Sequence, residues 1–145
     1  MKKIIENQRG MTLVEIMVVV TIIGIIATLV TVNVVGYLDR ARVDTTVTTI
    51  RSLEQMLEQY RLDNGSYPSS EQGLNALVEA PSFGKSPKRY PTGGYIKGGK
   101  VPKDSWKNEL VYSSPGANGN PYEIVSIGPD QQEGSEDDIK SWEIE

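Results

Sequence analysis

The chain has 145 residues, room for one ordinary domain and not for two. It has no Cys and no His, so it offers no disulfide, thiol nucleophile, imidazole base or common transition-metal ligand, which excludes most hydrolase, zinc and redox chemistry. Net charge is −4, divided into +2 over the first ten residues and −6 over the rest, and an acidic body of that kind argues against nucleic acid as the main partner.

Residues 1–10 contain Lys2, Lys3 and Arg9, and an apolar run follows them. From Met11 to Val35 there are 25 residues whose only ionisable side chain is Glu15, although hydrophobic residues make up just 38% of the chain. Such segregation points to a membrane or lipid-like environment for this end, with the basic flank in the cytoplasm. A secretory signal peptide fits poorly, because the run is long and no A-x-A-like cleavage site follows it. An uncleaved signal anchor fits its length. Glu15 sets the run apart from both, since a carboxylate in a membrane helix is costly and usually has a partner.

Met11 to about Leu62 reads as one helix. Its first half is apolar all round, and its Val, Ile and Thr are mediocre helix formers in water that become helical in lipid, where the backbone has no other partner. Gly24, Asn33 and Gly36 are weak points. Beyond Asp39, Val43, Val47, Ile50, Leu53, Leu57 and Tyr60 recur at spacings of three and four, with Arg51, Glu54, Gln55, Glu58 and Arg61 opposite. The stripe needs an apolar surface to cover it, and the C-terminal part must supply that. At 1.5 Å per residue such a helix measures about 78 Å, enough to cross a bilayer with a large remainder.

Asn64-Gly65-Ser66-Tyr67-Pro68 ends the helix, and its formal glycosylation sequon reads as coincidence in a helix-ending turn. Ser69 to Gln72 resembles a capping box opening a short helix to about Glu79, with Leu74, Leu77 and Val78 inward. Residues 81–108 hold four Pro and five Gly and read as loop, with a brief strand at most from Gly94 to Ile96. Glu109 to Ser113 and Tyr122 to Ile127 alternate as strands around a turn at residues 115–120, and Ser141 to Ile144 would add a last strand. The expected fold is α+β: a long N-terminal helix packed against a short helix, irregular loops and a small antiparallel sheet.

Residues 123–145 hold eight acids and one Lys, which reads as either a solvated tail or a site. Asp130 opens a loop of turn-forming residues, and Asp137 and Asp138 close it. Carboxylates brought together there would repel without a cation, and oxygen ligands without His or Cys suit Ca²⁺. The spacing is not that of an EF-hand. Between Lys85 and Lys107, seven basic residues interleave with Tyr90 and Tyr95, which reads as a solvated face or a contact with acidic neighbours in a polymer. No nucleophile–base pair or phosphate-cradling loop is present.

Two sets of residues resemble known proteins. Gly10-Met11-Thr12-Leu13-Val14-Glu15 after a short basic leader resembles a class III, prepilin-type signal. Tyr60 to Pro68, Glu71-Gln72-Gly73-Leu74, Gly94-Tyr95-Ile96, Pro102-x-Asp104-x-Trp106, Ser114-Pro115-Gly116, Ile127-Gly128-Pro129-Asp130 and Asp137-Asp138-Ile139 are very similar to the major pseudopilins of type II secretion systems, nearly end to end and in order. Departures are Met11 where the family usually has Phe, Val32 where it often has Pro, and Ser105 and Lys107 where Pro and Gly usually flank the Trp.

The resemblance implies a type IV pilin-like fold and a filament subunit, not an enzyme. It implies a leader at 1–10 cut between Gly10 and Met11 by a prepilin peptidase, with N-methylation of Met11. A transmembrane or filament-core helix at 11–36 and a periplasmic domain at 37–145 follow. Glu15 acts in assembly. One Ca²⁺ is held by Asp130, Asp137 and Asp138 with main-chain oxygens of Ile127, Gln132 and Ser135. The implied partners are further copies in a helical filament, minor pseudopilins, the inner-membrane assembly platform and inner-membrane lipid. The implied location is the inner membrane, single-pass, and then the periplasmic pseudopilus. Rival readings are a type IV pilin for motility, adhesion or DNA uptake, whose common C-terminal disulfide loop zero Cys forbids, and a signal-anchored periplasmic calcium-binding module that never polymerises.

Overall fold

The computed structural model describes residues 10–117 and 119–144, with the side chains of residues 29–34 set aside. Lys2, Lys3 and Arg9 of the leader lie outside the described residues, as do the side chains of Val32 and Asn33. Helix α1 spans Leu13–Asn64, 52 residues. The chain divides between Asp39 and Arg40 into two units.

In the first unit the chain from Leu13 onward is helix, with its described side chains open to solvent. Leu13, Val14, Met17, Val20 and Ile23 are each more than 55% exposed. The Thr21 and Thr28 hydroxyls turn back to donate to the carbonyls of Met17 and Gly24, at 2.8 and 3.0 Å, so the donors of these two side chains are satisfied within the helix. Among the described residues no helix is long and apolar enough to cross a membrane. The apolar run with described side chains, residues 13–28, gives about 24 Å of helix against a hydrocarbon core of about 30 Å. The expected span of 11–36 extends beyond it.

In the second unit the apolar stripe of α1 is the spine of the core. Ile50, Leu53, Leu57 and Tyr60 are buried, and Leu74, Ala76, Leu77, Ile96, Leu110 and Ile124 close over them. The stripe begins later than its periodicity suggests: Val43 is exposed and Val47 half-buried, while the fully buried residue of that turn is Thr46. Helix α1 ends where Gly65, at φ +82°, donates its N–H to the Arg61 carbonyl at 2.7 Å. Asn64 is buried beside it. Its Nδ2 donates to the Tyr60 carbonyl and the Tyr95 hydroxyl, and its Oδ1 accepts from the Arg89 N–H. Burial takes this Asn out of reach as a glycan acceptor.

The capping box forms at Ser69 and Gln72, each side chain bonding the other's N–H. The helix after it is only a 3₁₀ turn, Leu74–Leu77, because Gly73 at φ +60° and ψ −169° breaks the path. No strand forms at Gly94 to Ile96. The N–H groups of Tyr95 and Ile96 both donate to the Leu77 carbonyl instead, and a Cβ on Gly94 would lie 2.9 Å from that oxygen.

Strand β1 is Val111–Ser113, β2 is Glu123–Ser126 and β3 is Ile139–Lys140, antiparallel in that order. Tyr112 faces Ile124, and Val125 faces Lys140. The last strand sits two residues earlier than expected, and Ser141–Glu143 is a 3₁₀ turn whose Ser141 hydroxyl accepts from the Ile124 N–H. A short strand followed by a turn leaves that N–H to a side chain rather than to a ladder partner.

Candidate functional sites

Gly10, Met11 and Thr12 precede α1 outside regular helix, and the Gly10 and Met11 side of the helix start is exposed. The bond expected to be cut therefore lies in chain that a peptidase can take without first unwinding helix. At the next turn Glu15 and Thr12 form a reciprocal capping box. The Glu15 N–H donates to Thr12 Oγ1 at 3.2 Å, and the Thr12 N–H donates to Glu15 Oε2 at 3.4 Å. Two of the orphan donors at the helix start are satisfied in this way, and an acid in the first turn complements the helix dipole. The T-x-x-E spacing is the sequence signal for this box, and Thr12 is the residue that holds Glu15 at the helix start.

The acidic loop starts beyond β2. Asp130 Oδ1 accepts from the Gln132 N–H at 2.9 Å, and Asp138 Oδ2 accepts from the Gly134 N–H at 2.7 Å. The Asp130 N–H reaches Asp137 Oδ2 at 3.3 Å. At the centre is Ser135, whose hydroxyl oxygen lies 3.4 Å from Asp130 Oδ1, 2.5 Å from Asp137 Oδ1 and 3.3 Å from Asp138 Oδ1. One hydroxyl proton serves one of three carboxylates, so two anionic oxygens face it without a proton between. The Ser135 hydroxyl holds the Asp137 carboxyl below the usual carboxylate range, with the Asp130 N–H assisting. The loop thus brings Asp130, Asp137, Asp138 and Ser135 together, with Gln132 beside Asp130. The donor set is oxygen alone, which fits a hard cation in kind. In arrangement the carboxylates gather on the Ser135 hydroxyl, and among the described residues no group of three or more His, Cys, Asp or Glu is placed to hold a metal ion.

A second polar centre, missed in the sequence, lies under the start of this loop. Asp104 is only 5% exposed. Its Oδ1 accepts from the N–H groups of Trp106 and Asn108, at 3.0 and 2.7 Å, and its Oδ2 from Asn108 Nδ2 and the buried Ser126 hydroxyl, at 3.1 and 2.7 Å. Four donors on one buried carboxylate satisfy it. Its neighbour Ser105 ties the turn to α1. The Ser105 N–H donates to Thr46 Oγ1 at 3.2 Å, and its hydroxyl to the Arg42 carbonyl at 2.8 Å. Lys107 adopts φ +72°, the left-handed region, at the position where the resembling family has Gly. The departures around Trp106 therefore have opposite meanings: Ser105 adds bonds that a Pro could not make, and Lys107 adds strain that a Gly would not.

A family model described as "Type II secretion system (T2SS), protein G" matches residues 33–142, and one described as "Prokaryotic N-terminal methylation motif" matches residues 6–31. The chain belongs to the type II secretion system protein G family. Relatives named type II secretion system core protein G include one from Pectobacterium carotovorum, 45% identical over 96% of this chain and 87% of its own, and one from Vibrio cholerae, 45% identical over 100% and 98%. The crystal structure of the major pseudopilin of enterohaemorrhagic Escherichia coli is similar at 38% identity and a TM-score of 0.67, covering 74% of this chain and 87% of that one. Membership of this family makes the chain a pseudopilus subunit, structural and not enzymatic, that assembles with other components of a secretion system. The long helix with a three-stranded antiparallel sheet is the α+β, pilin-like fold expected of it.

Proposed function

We propose that the precursor sits in the inner membrane through the helix at residues 11–36, is cut between Gly10 and Met11 by a prepilin peptidase, is N-methylated at Met11, and is then drawn into a helical pseudopilus that helps push folded proteins through the outer membrane. The observation that carries this reading is the first unit of α1: an exposed, nearly all-apolar helix that nothing in its own chain covers among the described residues. Lipid before assembly and other copies after it would cover that surface. Minor pseudopilins and the inner-membrane assembly platform are the further partners of this reading, and the domain from residue 37 onward faces the periplasm.

Glu15 is the assembly residue. Cutting at Gly10 places a new amine at Met11, four residues before Glu15 in the chain, where it is the natural cation for a neighbouring copy's acid. Pairing offsets the desolvation of both groups in an apolar filament core. Until then Thr12 occupies Glu15, so the acid is held at the helix start and oriented before its partner exists.

In the acidic loop, Asp130, Asp137 and Asp138, with main-chain oxygens of Ile127, Gln132 and Ser135, are the residues that would hold one Ca²⁺. The oxygen-only donor set supports that choice. A bound ion would neutralise the three carboxylates and tie the two ends of the loop together.

The experiment is intact-mass spectrometry of filaments sheared from cells that carry the secretion system. The expected species begins at Met11 and carries one added methyl group, with Glu15→Leu precursor cut normally but absent from filaments. A full-length mass in the filament fraction, or normal filaments from Glu15→Leu alone, contradicts the reading.

A further inference from the structure

The acidic loop does not begin free. Gly128, its second residue after β2, takes φ +62° and crosses directly under Asp137: a Cβ on Gly128 would lie 2.7 Å from both the Asp137 carbonyl and its Oδ2. Only a glycine tolerates that approach. The Gly128 carbonyl accepts from Asn108 Nδ2 at 2.8 Å, and its N–H points at Ser126 Oγ at 3.4 Å. The same Asn108 amide donates to Asp104 Oδ2, and the same Ser126 hydroxyl donates to Asp104 Oδ2. Both groups that hold Gly128 are therefore themselves held by one buried carboxylate.

We propose that Asp104, acting through Asn108 and Ser126, is a positioning residue that pins Gly128 and so fixes where Asp137 and the rest of the acidic loop stand. Neither Asp104 nor Asn108 is a ligand. Their part is to keep the ends of the loop at a set separation, which limits how far the carboxylates must move to meet a cation; this use of the pin rests on the calcium reading above. The loop has no apolar cluster of its own, and residues 130–137 are exposed or half-buried, so the bonds at Gly128 tie it to the buried polar centre. Partners that orient ligands in this way typically change metal affinity by roughly 10–100-fold when removed.

The test uses the full chain in detergent micelles, titrated with CaCl₂ by calorimetry and followed by amide hydrogen exchange without calcium. Asn108→Ala removes the amide that bridges Gly128 and Asp104, and Gly128→Ala drives a methyl group into Asp137. Both should weaken calcium binding by about tenfold or more, and both should speed exchange at the Asp130, Gln132 and Gly134 amides. Ser105→Ala is the control. It removes the hydroxyl that donates to the Arg42 carbonyl and accepts from Thr46 Oγ1, and keeps the Ser105 N–H bond to Thr46, so it should lower the melting temperature while leaving calcium affinity and loop exchange as in the wild type. Asn108→Ala with both readouts within twofold of wild type overturns the pin. So does Ser105→Ala changing them as much, because the effect would then be general destabilisation. A wild-type chain that takes up no calcium overturns the calcium reading alone, and the exchange rates still decide the pin.

Discussion

The two halves of α1 are built from the same backbone and differ in what covers them. Beyond Asp39, the apolar residues recur at helical spacing, and Ile50, Leu53 and Leu57 lie at 1% exposure or less under the chain's own sheet and loops. Before it, apolar residues occupy every side, and Val14, Val18 and Ile23 remain 67%, 51% and 59% exposed. Periodicity is the signature of a helix that its own chain will cover on one face. Loss of periodicity, with a single acid left in, is the signature of a helix covered all round by something else. The comparison separates residues that serve folding from residues that serve assembly.

The largest effect should come from crossing that line with one type of change. Leu57→Ala opens a cavity in the core and should destabilise the second unit by about 2–5 kcal/mol, lowering its melting temperature by on the order of 10–20 °C in circular dichroism. Val18→Ala removes a comparable piece of apolar side chain from the first half. It should leave that melting temperature unchanged and reduce the yield of sheared filaments instead. If Val18→Ala lowers the melting temperature as Leu57→Ala does, the halves are not separate in function.

A smaller change of opposite sign sharpens the folding side. Lys107 holds φ +72° in the turn that carries Asp104. Lys107→Gly should relieve about 1 kcal/mol of backbone strain, offset in large part by the greater freedom of Gly in the unfolded chain, for a net gain of roughly a few tenths of a kcal/mol. Chemical denaturation of the two proteins reads it as a higher midpoint with an unchanged slope. A lower midpoint would mean that the Lys107 side chain contributes more than its backbone loses.

How much was legible in the sequence follows the range of the interactions. The amphipathic stripe from Ile50 onward, the Ser69–Gln72 capping box, the Gly65 helix end and the two main strands depend on residues a few places apart, and each lies within the stretch its local pattern marks, the strands as the shorter Val111–Ser113 and Glu123–Ser126. The short helix after Gln72 shrank to a 3₁₀ turn because Gly73 takes a conformation that composition alone does not announce. Thr46 and Asn64 look like surface residues, yet they are buried because Ser105 and Arg89 meet them across 59 and 25 positions of chain. Asp104 stands in the Pro102-x-Asp104-x-Trp106 motif, but its bonds run to Asn108 and Ser126, and through them to Gly128, which only the folded turn brings together. In the acidic loop the three aspartates are legible from their spacing, while Ser135 as the group they surround is not, because nothing beside it in the chain marks its hydroxyl as a shared donor. The Thr12–Glu15 box was fully legible, and was hidden by the conspicuous charge of one of its members.

The central claim is that the first half of α1 is covered by other copies once the filament forms. The chain has no Cys, so a single introduced cysteine reports on one position alone. Filaments sheared from cells and freed of membrane would be treated with a water-soluble maleimide, for Val18→Cys and for the exposed-body control Lys88→Cys. The account predicts that Lys88→Cys labels in the intact filament, whereas Val18→Cys labels only after the filament is dissolved in SDS. Equal labelling of both in the intact filament would contradict it.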